Sequence, residues 1–156
     1  MSKSGVYLVV ADETDEFPIA LRYAARLAEA NHGHVGILHI INIEDFQHWG
    51  NIEERMRREL REKAEKLLWS VAETANALNG TVPSVYLEEG DRFDVLVDVI
   101  NGDPNIQMLI LAGVSAGGSG PGPLVSHFSS KGLARLRVPV VIVPSHLDPE
   151  KIDSIL

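Results

Sequence analysis

The residues with the clearest capacity for chemistry lie between Gly113 and Ser126. This stretch holds five glycines (Gly113, Gly117, Gly118, Gly120 and Gly122), together with Pro121 and Pro123. It follows the apolar run Met108–Ala112, precedes a helical pattern, and is succeeded by a second apolar run from Pro139 to Pro144. Strand, glycine-rich loop, helix and strand in that order aim backbone N–H groups and a helix N-terminus at an anion, often a phosphate. Two further positions carry groups of the right type. Asp12 follows Ala11 at the close of the first apolar run, and Ser126-His127 opens the segment after the loop. The alternative for Asp12 is a cap: Asp12, Thr14 or Asp15 has the side chain to close the N-terminus of the next helix, and both readings stand.

The elements that must position these residues alternate regularly. Val6–Ala11 is a continuous β-branched and apolar run, as in a strand covered on both faces. Pro18 sits in the first turn of a helix with apolar positions at helical spacing, and Asn31-His32-Gly33 ends it. His34–Ile41 reads as the second strand. The longest helix spans about Ile52–Leu78 and has an apolar stripe of Met56, Leu60, Ala64, Leu67, Leu68, Val71, Ala75 and Leu78. Ser84–Leu87 is a short third strand, and Asp91 is placed to cap a helix over Arg92–Ile100. Ile106–Ala112 and Pro139–Val143 complete five strands, and Asp148-Pro149 starts a helical C-terminal tail over 146–156. His32 and His34 are expected at the surface, and Trp49 and Trp69 are expected to pack. Repeated βαβ units require right-handed crossovers, so the fold expected is α/β: one domain over 1–156, with a five-stranded parallel sheet in the order 3-2-1-4-5 and helices on both faces. Ligands of such sheets lie beyond the carboxyl ends of the strands where the order reverses. That places Asp12 and the Gly113 loop at one opening, between the first and fourth strands.

Two common nucleotide motifs are excluded by spacing. No GxxxxGK[ST] is present, since Lys131 precedes Gly132, and Ala11-Asp12-Glu13-Thr14-Asp15 after the first strand contains no glycine for a dinucleotide fingerprint. The strand ending in Asp12, the His-containing Leu38-His39-Ile40-Ile41, the long charged helix, Leu109–Gly113 and the run Arg137–Pro144 together resemble the universal stress protein family. The resemblance covers nearly the whole chain and implies the same adenine-nucleotide-binding, Rossmann-like α/β fold. Several members bind ATP through G-x-x-G, nine residues and G-[ST]. Without gaps, Gly113 matches the first glycine, whereas Ala116, Ser126 and His127 stand at the other motif positions. A register shifted to Gly117-x-x-Gly120 reaches Ser130 without the final glycine. The motif is degraded.

The resemblance nevertheless implies cofactor contacts at Ala11, Asp12, Ile40 and Gly113. It extends them to Gly117, Gly120, Ser126 and His127. Asp12 would meet the adenine or ribose, and Ile40 matches an apolar position of the adenine pocket that is equally an ordinary core position. Ser126 crowds an approaching phosphate but is a strong N-cap with a hydroxyl of its own. A helix N-terminus contributes only about 0.3–1 kcal/mol per exposed anion contact, so a triphosphate there calls for Mg²⁺ or Lys131 as well.

Charge and composition narrow the partners. With 22 acidic and 14 basic residues the formal net charge is −8, the opposite of what nucleic acid or an anionic membrane attracts. Screening within about 8 Å leaves local groups to decide nucleotide binding. There is no cysteine, hence no disulfide or thiolate metal site, and no His or carboxylate set has zinc-like spacing. No apolar run spans a bilayer, Met1–Gly5 leaves no room for a signal peptide, and a cytoplasmic location is expected. Adjacent Ser126 and His127 do not face each other on a helix, and no dedicated catalytic site is read. The expected work is binding of ATP or another adenine nucleotide by a stress-response regulator. The uncharged run Val140–Val143, last in the sheet, invites pairing with a second copy, and the resemblance implies a homodimer through it. A nucleotide-free dimerisation module and a slow ATP hydrolase stand as alternatives.

Overall fold

The apolar runs form one parallel sheet in a computed structural model, which describes residues 5–12, 14, 16–42, 54–113 and 122–155. Its strands β1 (Val6–Val10), β2 (His34–Asn42), β3 (Ser84–Gly90), β4 (Ile106–Gly113) and β5 (Val140–Pro144) lie in the expected order β3-β2-β1-β4-β5. All four pairings are parallel. The connecting helices among the described residues are α1 (Phe17–Ala30), α2 (Glu54–Asn79), α3 (Arg92–Gly102), α4 (Pro123–Phe128) and α5 (Pro149–Ile155). A 3₁₀ segment, Lys131–Arg135, precedes β5.

Side chains alternate across β1, as the two-residue period of a strand requires. Tyr7, Val9 and, just past the strand, Ala11 pack with α1 and α2 in one cluster; Val6 and Leu8 pack with α3 and Phe128 of α4 in the other. The helices therefore cover both faces, and strands buried on two sides explain why the sequence shows continuous apolar runs rather than alternation.

Local chemistry sets several boundaries. Asp91 Oδ1 accepts from the backbone N–H groups of Phe93 (3.0 Å) and Asp94 (3.1 Å), fixing the start of α3. Asp148 does the same for Glu150 (3.0 Å) ahead of α5. At the end of α1 it is His32 that takes the left-handed conformation (φ 57°). Gly33 is required for a different reason, since a Cβ there would overlap the Gly5 carbonyl and reach 2.9 Å from the Tyr7 ring. Arg137 closes the other end of α3, its guanidinium donating to the carbonyls of Ile100, Asp103 and Ile106.

Four expectations need correction. β3 continues to Gly90 because β2 pairs with it as far as Asn42, bringing Glu88 and Glu89 into the ladder. The apolar stripe of α2 is buried only from Ala64 onward, and Met56 and Leu60 are exposed. Trp69 does not pack into the core but is 63% exposed. His34 is half-buried, its Nε2 2.8 Å from the Ser84 hydroxyl on β3. Trp49 lies outside the described residues.

The tail docks on α1. Ile152 is fully buried, while Asp153 receives Arg22 (2.7 and 3.1 Å) and Arg26 (2.9 Å). Hydrogen bonds from Arg22 and then Arg26 hold the Asp153 carboxyl at a pKa of about 2, below its ordinary 3.8. A carboxyl with a depressed folded pKa stabilises above its unfolded value and ceases to do so as pH falls through the folded one. The protection of the amides of residues 149–155, measured as exchange relative to the intrinsic rate at each pH, is therefore expected to fall as pH drops from about 4 to 2. Asp153→Asn should show low protection already at neutral pH and little further change in protection across that window.

Candidate functional site

Beyond the carboxyl ends of β1 and β4 lies a cavity of about 340 Å³. Its floor is apolar, formed by Val10 of β1 and Ile110, Leu111 and Ala112 of β4; Phe17 and Ala20 of α1 close one side. Leu124 and Val125 of α4 close another. The polar lining comes from Asp12, Thr14 and Glu16 on the β1–α1 connection and from Arg92 at the start of α3. Neighbouring strands whose connections leave toward opposite faces create this opening, the usual ligand position of such sheets.

Asp12 is exposed and lines the cavity. Its Oδ1 accepts from the Thr14 backbone N–H (2.9 Å) and the Thr14 hydroxyl (2.5 Å), a turn of the kind short acidic side chains make with the residue two further on. It does not cap α1, whose N-cap is Glu16 with no side-chain bond. One oxygen, Oδ1, is committed to Thr14, and no bond among the described residues engages Oδ2.

The other candidates occupy different places. Ala11 is buried behind Asp12; its N–H donates to the Leu38 carbonyl (2.7 Å), and its own carbonyl lies 2.9 Å from His39 Nδ1. A carbonyl only accepts, so His39 carries its proton on Nδ1. Ile40 is half-buried against the α3-side cluster, outside the cavity lining. Gly113 pairs with Pro144 at the end of β4, where a Cβ would press on Ile142 Cγ2 at 3.3 Å. Gly117 and Gly120 lie outside the described residues, as does Ala116.

Ser126 and His127 lie within α4. Gly122, at φ 30°, is the N-cap of α4, and Pro123 sits in its first turn. The helix thus begins before Ser126, which lies one turn inside, bonds its N–H to the Gly122 carbonyl (3.0 Å) and lines nothing in the cavity. His127 stacks on Phe93 of α3, ring centroids 4.0 Å apart, with Phe128 edge-on at 4.9 Å. Its Nε2 is buried without a hydrogen-bond partner among the described residues. Lys131 is exposed in the 3₁₀ segment and is no part of the cavity lining. The sequence reading overlooked Arg92: the Asp91 cap fixes it at the first position of α3 but does not tell that this position faces the cavity. No group of three or more His, Asp or Glu among the described residues is arranged to hold a metal ion.

A model of the universal stress protein family matches residues 6–144, nearly the whole sheet and its helices. The chain belongs to the universal stress protein family. Solved structures agree on the fold. A universal stress protein from Burkholderia pseudomallei superposes with a TM-score of 0.66 at 18% identity, covering 90% of this chain and 96% of that one. One described as a complex with cAMP has a TM-score of 0.60 at 16% identity, covering 92% and 99%. The Archaeoglobus fulgidus universal stress protein in complex with dAMP has 0.59 at 15%, covering 92% and 99%. No curated protein matches the chain by sequence. No helix among the described residues of this universal stress protein is long and apolar enough to cross a membrane.

The Phe93–His127 stack depends on Gly132, where a Cβ would fall well inside contact distance of the His127 ring and 2.8 Å from its carbonyl oxygen. Overpacking of this kind costs about 1–3 kcal/mol. Gly132→Ala is expected to lower the melting temperature by several degrees, and the side-chain resonances of His127 and Phe93 should shift with it. An unchanged melt and spectrum would contradict the packing described.

Proposed function

We propose that this universal stress protein binds an adenine nucleotide in the cavity beyond β1 and β4, and that the occupied state regulates partners in a stress response. The observation carrying the reading is the cavity itself. Its volume of about 340 Å³ lies within the range of ligand pockets. Its apolar floor and walls suit a flat base, and Asp12 stands at the rim with a carboxylate oxygen able to accept from ribose hydroxyls. That two family structures are complexes with cAMP and dAMP supports the same class of ligand. Gly113, Gly117 and Gly120 remain proposed neighbours of the phosphates. Ala11 and Ile40 act from behind the lining, through the backbone and the core. The protein works as one domain in the cytoplasm, without a catalytic site of its own.

Calorimetry and thermal shift with AMP, cAMP and ATP, each with EDTA and with Mg²⁺, test this directly. Heat of binding and a raised melting temperature are expected for at least one adenine nucleotide, because a ligand held only by the folded state raises its stability. Silence with all three would end the reading.

Homodimerisation belongs to the same proposal. The two edges of the sheet differ: β3 carries Glu88 and Glu89 in its ladder, whereas β5 is uncharged and leaves Ile142 42% exposed. Unprotected apolar edges pair. Light scattering at micromolar concentration is expected to give twice the 17.1 kDa of one chain. Ile142→Lys, placing a charge on that edge, should give the single-chain mass with the fold intact.

A further inference from the structure

We infer that Arg92 is the anion-binding residue of the cavity, so that a ligand's phosphate lies toward the start of α3. The inference rests on the nucleotide reading above but assigns the phosphates a charged partner that the reading does not name. The cavity is polarised: Asp12 and Glu16 line it from the β1–α1 connection, Arg92 from α3. Helices α1 and α3 pack on opposite faces of the sheet, so these charges approach from opposite sides. Arg92 is the one basic residue in the lining described.

Its neighbours are all engaged, whereas Arg92 is not. The backbone donors of Phe93 and Asp94 are taken by Asp91, so the first turn of α3 offers no free N–H at those two positions. The Phe93 ring is stacked on His127, and the Asp94 carboxylate receives Arg135 at 3.0 Å. Among the described residues no hydrogen bond or ion pair engages the Arg92 guanidinium. A half-buried arginine held at a fixed position beside an apolar cavity, with its planar donor fork unspent, matches a phosphate in geometry and charge. It also supplies the local positive charge that a chain of net charge −8 otherwise lacks here.

The test compares AMP with adenosine, which share the base and sugar and differ in the phosphate, by calorimetry on wild type, Arg92→Ala and Arg92→Lys. Charge-assisted hydrogen bonds imply that wild type holds AMP at least about tenfold more tightly than adenosine. In Arg92→Ala that preference should collapse to within about threefold while adenosine affinity and melting temperature are unchanged, and Arg92→Lys should restore part of it. If Arg92→Ala keeps the wild-type preference for AMP, the assignment of Arg92 is overturned and the nucleotide reading stands. If wild type holds AMP no better than adenosine, the assignment also falls. Failure to take up AMP, adenosine or any other adenine nucleotide overturns both.

Discussion

The reversal of strand order between β1 and β4 is the constraint on which the site depends. A right-handed connection from β1 carries the chain onto one face as α1, while the chain leaving β4 reaches the other face as α4. Nothing in the backbone can fill the wedge between two departing connections. Its floor is fixed by the ends of two largely buried strands, and its walls by the first turns of helices anchored in different cores. The cavity is therefore a consequence of the topology, and only its lining is left to the side chains.

That lining places charge of both signs around an apolar floor. One oxygen of Asp12 is held by Thr14, which fixes the carboxylate without neutralising it. At the other side α3 is pinned at both ends: Asp91 accepts from two of its first amides, and Arg137 ties its Ile100 carbonyl to the Ile106 carbonyl of β4. A helix fixed in this way cannot rotate its first residue out of the opening. The docked tail has a comparable role on α1, where Ile152 and the Asp153 pairs with Arg22 and Arg26 tie α5 to the helix that forms the opposite wall.

The sheet order, the strands and the helix caps were legible in the sequence because each rests on a local signal: unbroken apolar runs, Asp91, Asp148, Pro18. The family resemblance was likewise carried by such runs. The exposure of Met56 and Leu60 was not legible, because periodicity reports which side of a helix is apolar and not how far the sheet extends beneath it. At 26 residues α2 is about 39 Å long, against about 30 Å for the nine residues of β2. Ala64 packs level with Ile41 near the end of β2, and Arg61 meets Glu89 near the end of β3, so the turns before them pass beyond the strands. In the site, Asp12 was found from its position at a strand end. Arg92 was missed since nothing local distinguishes a first-turn arginine facing a cavity from one facing water.

Where α4 begins decides what Ser126 and His127 do. With Gly122 and Pro123 starting α4, Ser126 lies one turn inside the helix and His127 stacks on the Phe93 ring. Gly132 leaves the imidazole just enough space for that stack. His127 is thereby a strut between α4 and the first turn of α3, the same turn that carries Arg92. The place of the imidazole and the bracing of the turn that carries Arg92 both follow from where this short helix begins.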